Sequence, residues 1–326
     1  MERRVTIAWI CATVAILVPT SGATQQLVLT ADVGKAEFFE DEPVYLLVRL
    51  QNVGTDTAWT HFFSLLSPAM TLSVRLGHGH LVEVSKPILD YRLDPSWRGE
   101  PVPPGASFLK AMVLQDIMGD EWDLRTHLFA HHLVSDQYEL HVTFHAHWGV
   151  PHTTPLRLEA APIVFQIRAR TSSEEKEVRQ LEAMRYMGWD TTRVAGRPRA
   201  EGYHASLIQW VQQRWRDQPD DPFLPFLLYN GLSVGGKVLE EQIVAGKVPR
   251  FDPDTNAVVS RLRIAVIERN KLSTAGAHLV QGLGARHPDQ LAILAKEVGA
   301  TPSGEMARYH AEQNQRGQQV RKQPPR

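Results

Sequence analysis

Cysteine is almost absent from this chain of 326 residues, and its single copy, Cys11, lies in an apolar stretch at the N-terminus. The remainder of the chain therefore has no thiol with which to form a disulfide, a thiolate metal site or a cysteine nucleophile. Its folded state must be stabilised by packed cores alone, and the chain is long enough to build one or two of them.

Two further absences narrow the functional classes. No apolar run after residue 23 reaches the roughly 20 residues that a membrane-spanning helix needs. The formal net charge is −1 at pH 7, so the chain as a whole has no electrostatic reason to bind nucleic acid or an anionic membrane. We therefore expect no nucleic-acid partner, and no transmembrane span in the mature protein.

The N-terminus is typical of a secretory signal peptide. A short charged segment, Glu2–Arg4, precedes the apolar run Val5–Pro19, which is too short for a comfortable membrane span. Small residues follow at Ser21–Ala23, as signal peptidase requires. We expect residues 1–23 to be removed by cleavage after Ala23, and the mature protein to be secreted or periplasmic.

Residues 24–170 carry the pattern of an antiparallel β domain. Apolar and polar residues alternate with a period of two, and no segment with helical periodicity separates the runs, which argues against a parallel βαβ sheet. We count about eight or nine such runs, at the spacing of a β-sandwich. The clearest are Val44–Leu50, Thr71–Leu76, Ser107–Leu114, Tyr138–Trp148 and Ile163–Ile167.

The order of these runs resembles a known class of module. Tyr138 begins the longest run, where a tyrosine can bond its hydroxyl to nearby backbone, as in the tyrosine corner of Ig-like sandwiches. With the turn Asn52–Gly54 and the lead-in Pro103–Gly105, the region 26–170 resembles bacterial secreted Ig-like modules. It is also similar to the proteinase-inhibitor type of β-sandwich. The resemblance implies an Ig-like antiparallel β-sandwich over residues 24–170, and it implies a fold rather than an activity.

From Thr171 the periodicity becomes helical. Ser172 and Glu175 have the spacing of a capping box, and apolar residues then recur on one helical face. Further amphipathic segments joined by short loops predict an α-helical domain of antiparallel helix pairs over residues 171–312. The segments 207–232 and 279–298 are alike, and this region resembles a tetratricopeptide-type solenoid. Residues 313–326 are polar and basic without an apolar period, and they predict a disordered tail.

Histidine is concentrated in one region, since seven of the 14 histidines lie between His127 and His152. On the long strand of this region the apolar residues take the even positions, so three histidines share the opposite face. Neutral imidazoles on such a face can bind zinc or copper, with His152 or a carboxylate as a further ligand. A polar, solvated sheet face is one alternative interpretation, and a pH-sensitive patch of neighbouring histidines is another. The candidate metal ligands are His141, His145 and His147.

A glycine-containing run matches two functional patterns in part. Gly231 to Gly235 has the spacing of a nucleophile elbow, and Gly231 to Lys237 has the spacing of a phosphate-binding loop. Both motifs need a preceding strand, whereas the residues Phe223–Tyr229 predict a helix. Val238 also replaces the hydroxyl that would bind magnesium. We therefore predict no catalytic residue and no cofactor site in this run.

Both predicted domains belong to fold classes that commonly present binding surfaces, and no motif meets the structural requirements of catalysis. The leading hypothesis is a non-enzymatic binding or assembly protein, whose partner is another protein of the cell envelope or the extracellular space. Two alternatives stay open. One is a proteinase inhibitor that acts through the proline-rich loop 94–105. The other is a metal-binding protein or hydrolase that uses the three histidines.

Overall fold

The computed structural model describes residues 26–84, 99–118, 131–147, 154–188, 203–231, 253–284 and 288–322. Within these ranges the chain contains both β-sheets and helices, which confirms the predicted mixed β and α class. The predicted signal segment, residues 94–98 of the proline-rich loop, His127 and His152 lie outside the described residues.

Eleven β-strands occur in the described ranges, and most follow the period-two alternation of buried and exposed side chains. They are β1 (Leu27–Asp32), β2 (Glu37–Phe39), β3 (Tyr45–Asn52), β4 (Ala58–Thr60), β5 (Met70–Leu76), β6 (Val82–Glu83), β7 (Glu100–Val102), β8 (Ser107–Val113), β9 (Asp136–His145), β10 (Arg157–Glu159) and β11 (Ile163–Arg168).

The strands form three sheets. The first has the order β1-β3-β8, the second has the order β2-β11-β9-β5-β6 with β10 also paired to β9, and the third is the pair β4-β7. Every pair is antiparallel except β2 and β11, which run parallel with Gln166 opposite Glu37. The parallel pair therefore attaches an early segment of the chain to the last strand before the helices.

A first apolar core is shared by the two larger sheets. The first sheet contributes side chains such as Leu46, and the second contributes Phe144 and Phe165. The ring of Tyr138 stacks on Phe165 with the centroids 5.4 Å apart. Its hydroxyl donates a hydrogen bond to the carbonyl oxygen of Val134 at 3.1 Å, which confirms the backbone contact predicted for this tyrosine.

A second apolar core lies on the opposite face of the first sheet. Tyr45 and Leu47 of β3, with Leu109 and Val113 of β8, pack among buried side chains of the helices. Because neighbouring side chains on a strand point to opposite faces, β3 and β8 supply both cores. The boundary at residues 170 and 171 marks the change from strands to helices, while the second core includes residues from both sides of it.

Eight helices occur in the described ranges, and a π-helical turn, Leu227–Gly231, continues one of them. No helix in this part of the chain has the length and apolar character needed to cross a membrane. The helices are α1 (Leu114–Ile117), α2 (Ser172–Gly188), α3 (Tyr203–Asp217), α4 (Phe223–Phe226), α5 (Pro253–Arg269), α6 (Thr274–Gly284), α7 (Pro288–Glu297) and α8 (Pro302–Lys322).

Two details of the helices differ from the sequence predictions. The capping box of α2 uses Thr171 and Glu174, because the Thr171 amide donates to the Glu174 carboxylate at 2.7 Å. Helix α8 also continues to Lys322, through most of the segment 313–326 that was expected to be disordered. Gln, Glu, Arg and Lys favour helix even without an apolar period, so a helix packed at its start can extend through such a segment.

Helix α6 is attached to the open edge of β8. The side-chain amide of Gln281 accepts a hydrogen bond from the Ala111 amide at 2.9 Å and donates one to the Ala111 carbonyl at 2.8 Å. Gln281 therefore satisfies backbone groups that a neighbouring strand would otherwise bind. This contact fixes the helices against the first sheet.

Candidate functional site: an acidic cleft between sheet and helices

A cleft of about 470 Å³ opens where β2 meets helices α2, α3 and α4. A smaller hollow of about 230 Å³ adjoins it and shares four of its lining residues. We call the two together the acidic cleft. Its lining residues are Lys35, Glu37, Phe38, Phe39, Glu42, Arg168, Glu174, Glu177, Asp217, Gln218, Pro219, Asp220, Asp221 and Pro222.

The parallel pairing of β2 with β11 creates this cleft. It places Phe39 opposite Arg168, whose guanidinium lies 5.4 Å from the centre of the Phe39 ring. Helix α2 begins directly after β11, so Glu174 reaches the same place. On the other side, the Phe39 ring packs against Phe223 of α4 at 6.0 Å. Within the cleft, Phe39 thus contacts both the last strand of the β region and a helix.

The charges in the lining are strongly unequal. Seven of the lining residues are carboxylates, and only Lys35 and Arg168 are cations. Two further cations reach the cleft carboxylates from outside the lining: Arg214 contacts Glu177, and Arg269 binds Asp220. The carboxylates still outnumber all four cations, so the cleft has an excess of negative charge at neutral pH.

Arg168 holds the inner wall of the cleft. Its two terminal nitrogens donate to the two carboxylate oxygens of Glu174 at 2.8 and 2.6 Å. This bidentate pair, with Thr171, lowers the pKa of Glu174 to about 2. Glu174 is therefore an anion at any physiological pH, and the start of α2 is fixed beside β11.

A buried ion cluster forms the opposite wall. Arg214 of α3 contacts both Glu177 of α2 and Asp221, and its guanidinium lies 4.9 Å from the ring centre of Trp210. The Asp221 side chain is only 1% exposed, and its carboxylate also accepts the Phe223 amide at 2.8 Å. Burial lowers the pKa of Arg214 to about 10, which leaves it charged at neutral pH. This cluster joins three helices.

The base of the smaller hollow is a buried carboxylate. Glu42 contacts Lys35 and accepts the Phe39 amide at 3.1 Å. Burial raises the pKa of Glu42, and the neighbouring Lys35 partly opposes that effect. Glu42 therefore has a structural role that orders the turn after β2, rather than that of an open ligand.

Three carboxylates at the rim are the accessible ones. Glu37 is 66% exposed, and the nearest nitrogen of Arg168 is 3.6 Å from it. Asp220 is 72% exposed in its pair with Arg269. The exposed Asp217 accepts a hydrogen bond from the neutral amide of Gln213 at 2.7 Å. An incoming cation can therefore reach Glu37, Asp217 and Asp220 without disrupting the buried ion pairs.

Two of the three candidate metal ligands form hydrogen bonds with other groups. His141 bonds to Glu139 at 2.7 Å through its Nε2 atom, and Glu139 also accepts from Arg75 at 3.0 Å. His147 lies beyond the end of β9 and donates to the carbonyl of Thr154. Within the described residues, no three His, Cys, Asp or Glu side chains are placed to hold a metal ion. The metal site at His141, His145 and His147 stays a prediction.

The other candidates fall partly outside the described residues. In the proline-rich loop 94–105, residues Glu100–Val102 form β7 and pair with β4. In the glycine-containing run, Gly231 ends the π-helical turn, and its remaining residues are not among those described. The acidic cleft itself was not predicted. Its one local signal was the segment Asp217–Pro222, which combines three carboxylates with two prolines.

Comparisons with known proteins do not assign the chain to a family. The chain matches no protein-family model and no curated protein. Among solved structures, pT26-6p aligns with 91% of this chain at 8% identity and a TM-score of 0.15. The alignment covers 49% of that protein, so this chain spans about half of its length. A likeness of this size carries no argument about fold or function.

Proposed function

We propose that this chain is a non-enzymatic binding or assembly protein of the periplasm or extracellular space, and that its acidic cleft binds a basic segment of another protein. The proposed architecture is an Ig-like β-sandwich followed by a layer of helices. Two sheets that share a core and are antiparallel except for the pair β2-β11, together with the hydroxyl contact of Tyr138, support that architecture.

The observation that carries the binding proposal is the arrangement of charge in the cleft. Glu37, Asp217 and Asp220 form an exposed acidic rim, while the buried carboxylates already have cationic partners. An acidic rim on a concave surface attracts cations and accelerates their association. A lysine or arginine can place its charge at this rim and its apolar stem against Pro219 or Pro222.

The shape of the cleft favours a peptide segment over a small metabolite. Its lining is mostly charged and polar, whereas sites for small molecules are mostly apolar with few polar groups. An extended segment that crosses the cleft would place successive basic side chains in its two hollows. We therefore expect affinity that depends strongly on ionic strength.

Fluorescence anisotropy with a labelled lysine- and arginine-rich peptide tests the proposal. The double variant Glu37→Lys with Asp217→Lys should weaken binding by about tenfold or more. Each reversal removes an attraction of roughly 0.5 kcal/mol and adds a repulsion of similar size, so the two together cost about 2 kcal/mol. The matched control is Glu83→Lys on the exposed strand β6, at the opposite edge of the second sheet.

The control should bind the peptide as the native protein does, and a glutamate-rich peptide should not bind. Equal affinity of the double variant and the control would refute the cleft as the binding site. The predicted export is tested separately, by N-terminal sequencing of the mature protein, which should begin at residue 24.

A further inference from the structure

The turn between β2 and β3 contains an unusual residue. The Glu42 amide donates to the Phe39 carbonyl at 3.0 Å, which closes a four-residue turn with Asp41 at its third position. Asp41 has φ +62°, and among the described residues it is the only one other than glycine in this region of backbone space. Such a position favours glycine or asparagine. The contacts of the Asp41 side chain must therefore offset the less favourable backbone conformation.

Those contacts are with two side chains from distant segments: Arg170, which is a cation, and His132, which is a cation only when protonated. The Asp41 side chain is 10% exposed and lies between His132 and Arg170. One carboxylate oxygen is 2.7 Å from His132 Nδ1, and the other is 3.1 Å from Arg170 Nη1. The His132 ring is 38% exposed, so it can exchange a proton with solvent while it remains bound.

The charges around His132 favour its protonated form. Glu40 and Asp41 of the turn face the His132 ring, and so does Arg170, which lies just after β11. His131 is the neighbouring residue in the chain. Arg170 is itself bound to Glu175 of α2 at 3.1 Å. The hydrogen bond to Asp41 raises the pKa of His132, whereas burial lowers that of His131. His132 is thus the histidine of this pair that becomes charged first as the pH falls.

The same turn holds the chain next to His132. The amide of Ser135 donates to the Glu40 carboxylate at 3.0 Å, and the Ser135 hydroxyl donates to the Ile167 carbonyl at 3.3 Å. Residues 131–135 are therefore attached to this turn by His132 at one end and Ser135 at the other, while Leu133 between them is buried in the first core. Because both polar attachments end on the same turn, we expect the loss of the first to loosen the second.

We propose that His132 and Asp41 form a proton-operated latch, which fastens residues 131–135 to the turn between β2 and β3 at mildly acidic pH and loosens them at alkaline pH. The direction follows from the charges: a histidine whose pKa is raised by folding stabilises the folded segment below its ordinary pKa. That stabilisation is lost as the pH rises through the pKa of the folded state.

Residue-resolved hydrogen exchange on the full chain between pH 6.0 and 8.5 tests the latch. This window includes the ordinary pKa of histidine. After correction for the intrinsic effect of pH, the hydrogen-exchange rate of the Ser135 amide should increase by about fivefold from pH 6.0 to 8.5. This is the size expected from the loss of the His132–Asp41 ion pair, which has one buried partner. The NMR titration of His132 should have its midpoint above about 6.5.

Two variants provide the controls. Asp41→Asn keeps a residue that tolerates this backbone conformation but removes the charge, so it should abolish the pH dependence of Ser135 exchange. His131→Gln should retain the pH dependence of Ser135 exchange. A pH-independent Ser135 amide in the native protein, or an unchanged dependence in Asp41→Asn, would overturn the proposal. A midpoint for His132 at or below about 6.5 in the native protein would also overturn it, whether or not the variants fold.

Discussion

Replacing Leu109 by alanine should destabilise the sheets and the helices together. Leu109 lies on β8, is 2% exposed, and packs among helical side chains in the second core. Its neighbour Phe108 points into the first core. Removing a buried leucine side chain costs about 2–5 kcal/mol, because apolar contacts are lost and a cavity is left. Since β8 belongs to both cores, this loss should be shared by both.

The assay is urea denaturation followed by two probes. Circular dichroism at 222 nm reports the helices, and hydrogen exchange of β9 peptides reports the second sheet. Leu46→Ala, which truncates a fully buried side chain in the first core, is the matched variant. Leu272→Ala, at a position that is 69% exposed, is the control and should change stability by less than about 0.5 kcal/mol.

Both core variants should lower the midpoint of both probes by similar amounts. Separate transitions, with Leu109→Ala shifting only the helical one, would refute cooperative coupling through β8. The change from strands to helices at residues 170 and 171 would then be a boundary between independently folding domains. Coincident shifts would instead define one cooperative unit.

Three further predictions concern single side chains. Burial lowers the pKa of His278 to about 4. Between pH 6.5 and 4 only the unfolded chain gains this proton, so the free energy of unfolding should fall by up to about 3 kcal/mol as the pH is lowered. His278→Phe should therefore flatten the slope of the urea midpoint against pH. Glu174→Gln should cost about 1–2 kcal/mol at pH 7, because the bond with Arg168 is charge-assisted. Since folding lowers the pKa of Glu174 to about 2, the difference in stability between the native protein and this variant should narrow as the pH falls from 4.5 to 2. Gly282→Ala should lower the free energy of unfolding by about 1–3 kcal/mol, and with it the melting temperature. The reason is that the alanine Cβ would lie 2.3 Å from a ring carbon of Tyr229. An unchanged melting temperature would contradict the packing of α6.

The strands with local alternation were predictable from the sequence. The even-numbered residues of Val44–Leu50 all enter the first core, as the period of two predicted. Their neighbours Tyr45 and Leu47 enter the second core, which the local pattern did not reveal. The start of α2 was predictable within one residue, since capping chemistry is local. Short-range patterns of this kind identify the elements and the mixed class, but they do not determine which elements become neighbours.

The acidic cleft depends on neighbours that the sequence does not reveal. Strand β2 has only three residues, and its two phenylalanines enter different cores, so it shows no alternating pattern. Its parallel pairing with β11 joins segments about 130 residues apart. Asp217 and Glu37 consequently line one cleft although nothing in their local sequence relates them. His141 and His147, by contrast, belong to one cluster in the sequence but bind different partners in the structure.

The long-range closure of the cleft has a consequence for how the chain acquires its binding site. The hydroxyl of Tyr45 donates to the Pro222 carbonyl at 2.9 Å, which joins residues 177 positions apart. Contacts of such separation carry a large loop-closure entropy, and they form late in folding. A nascent chain cannot complete this surface until α4 has been synthesised, so the proposed binding of a basic segment requires the chain through α4. Chains that end before α4 should therefore fail to bind a basic peptide.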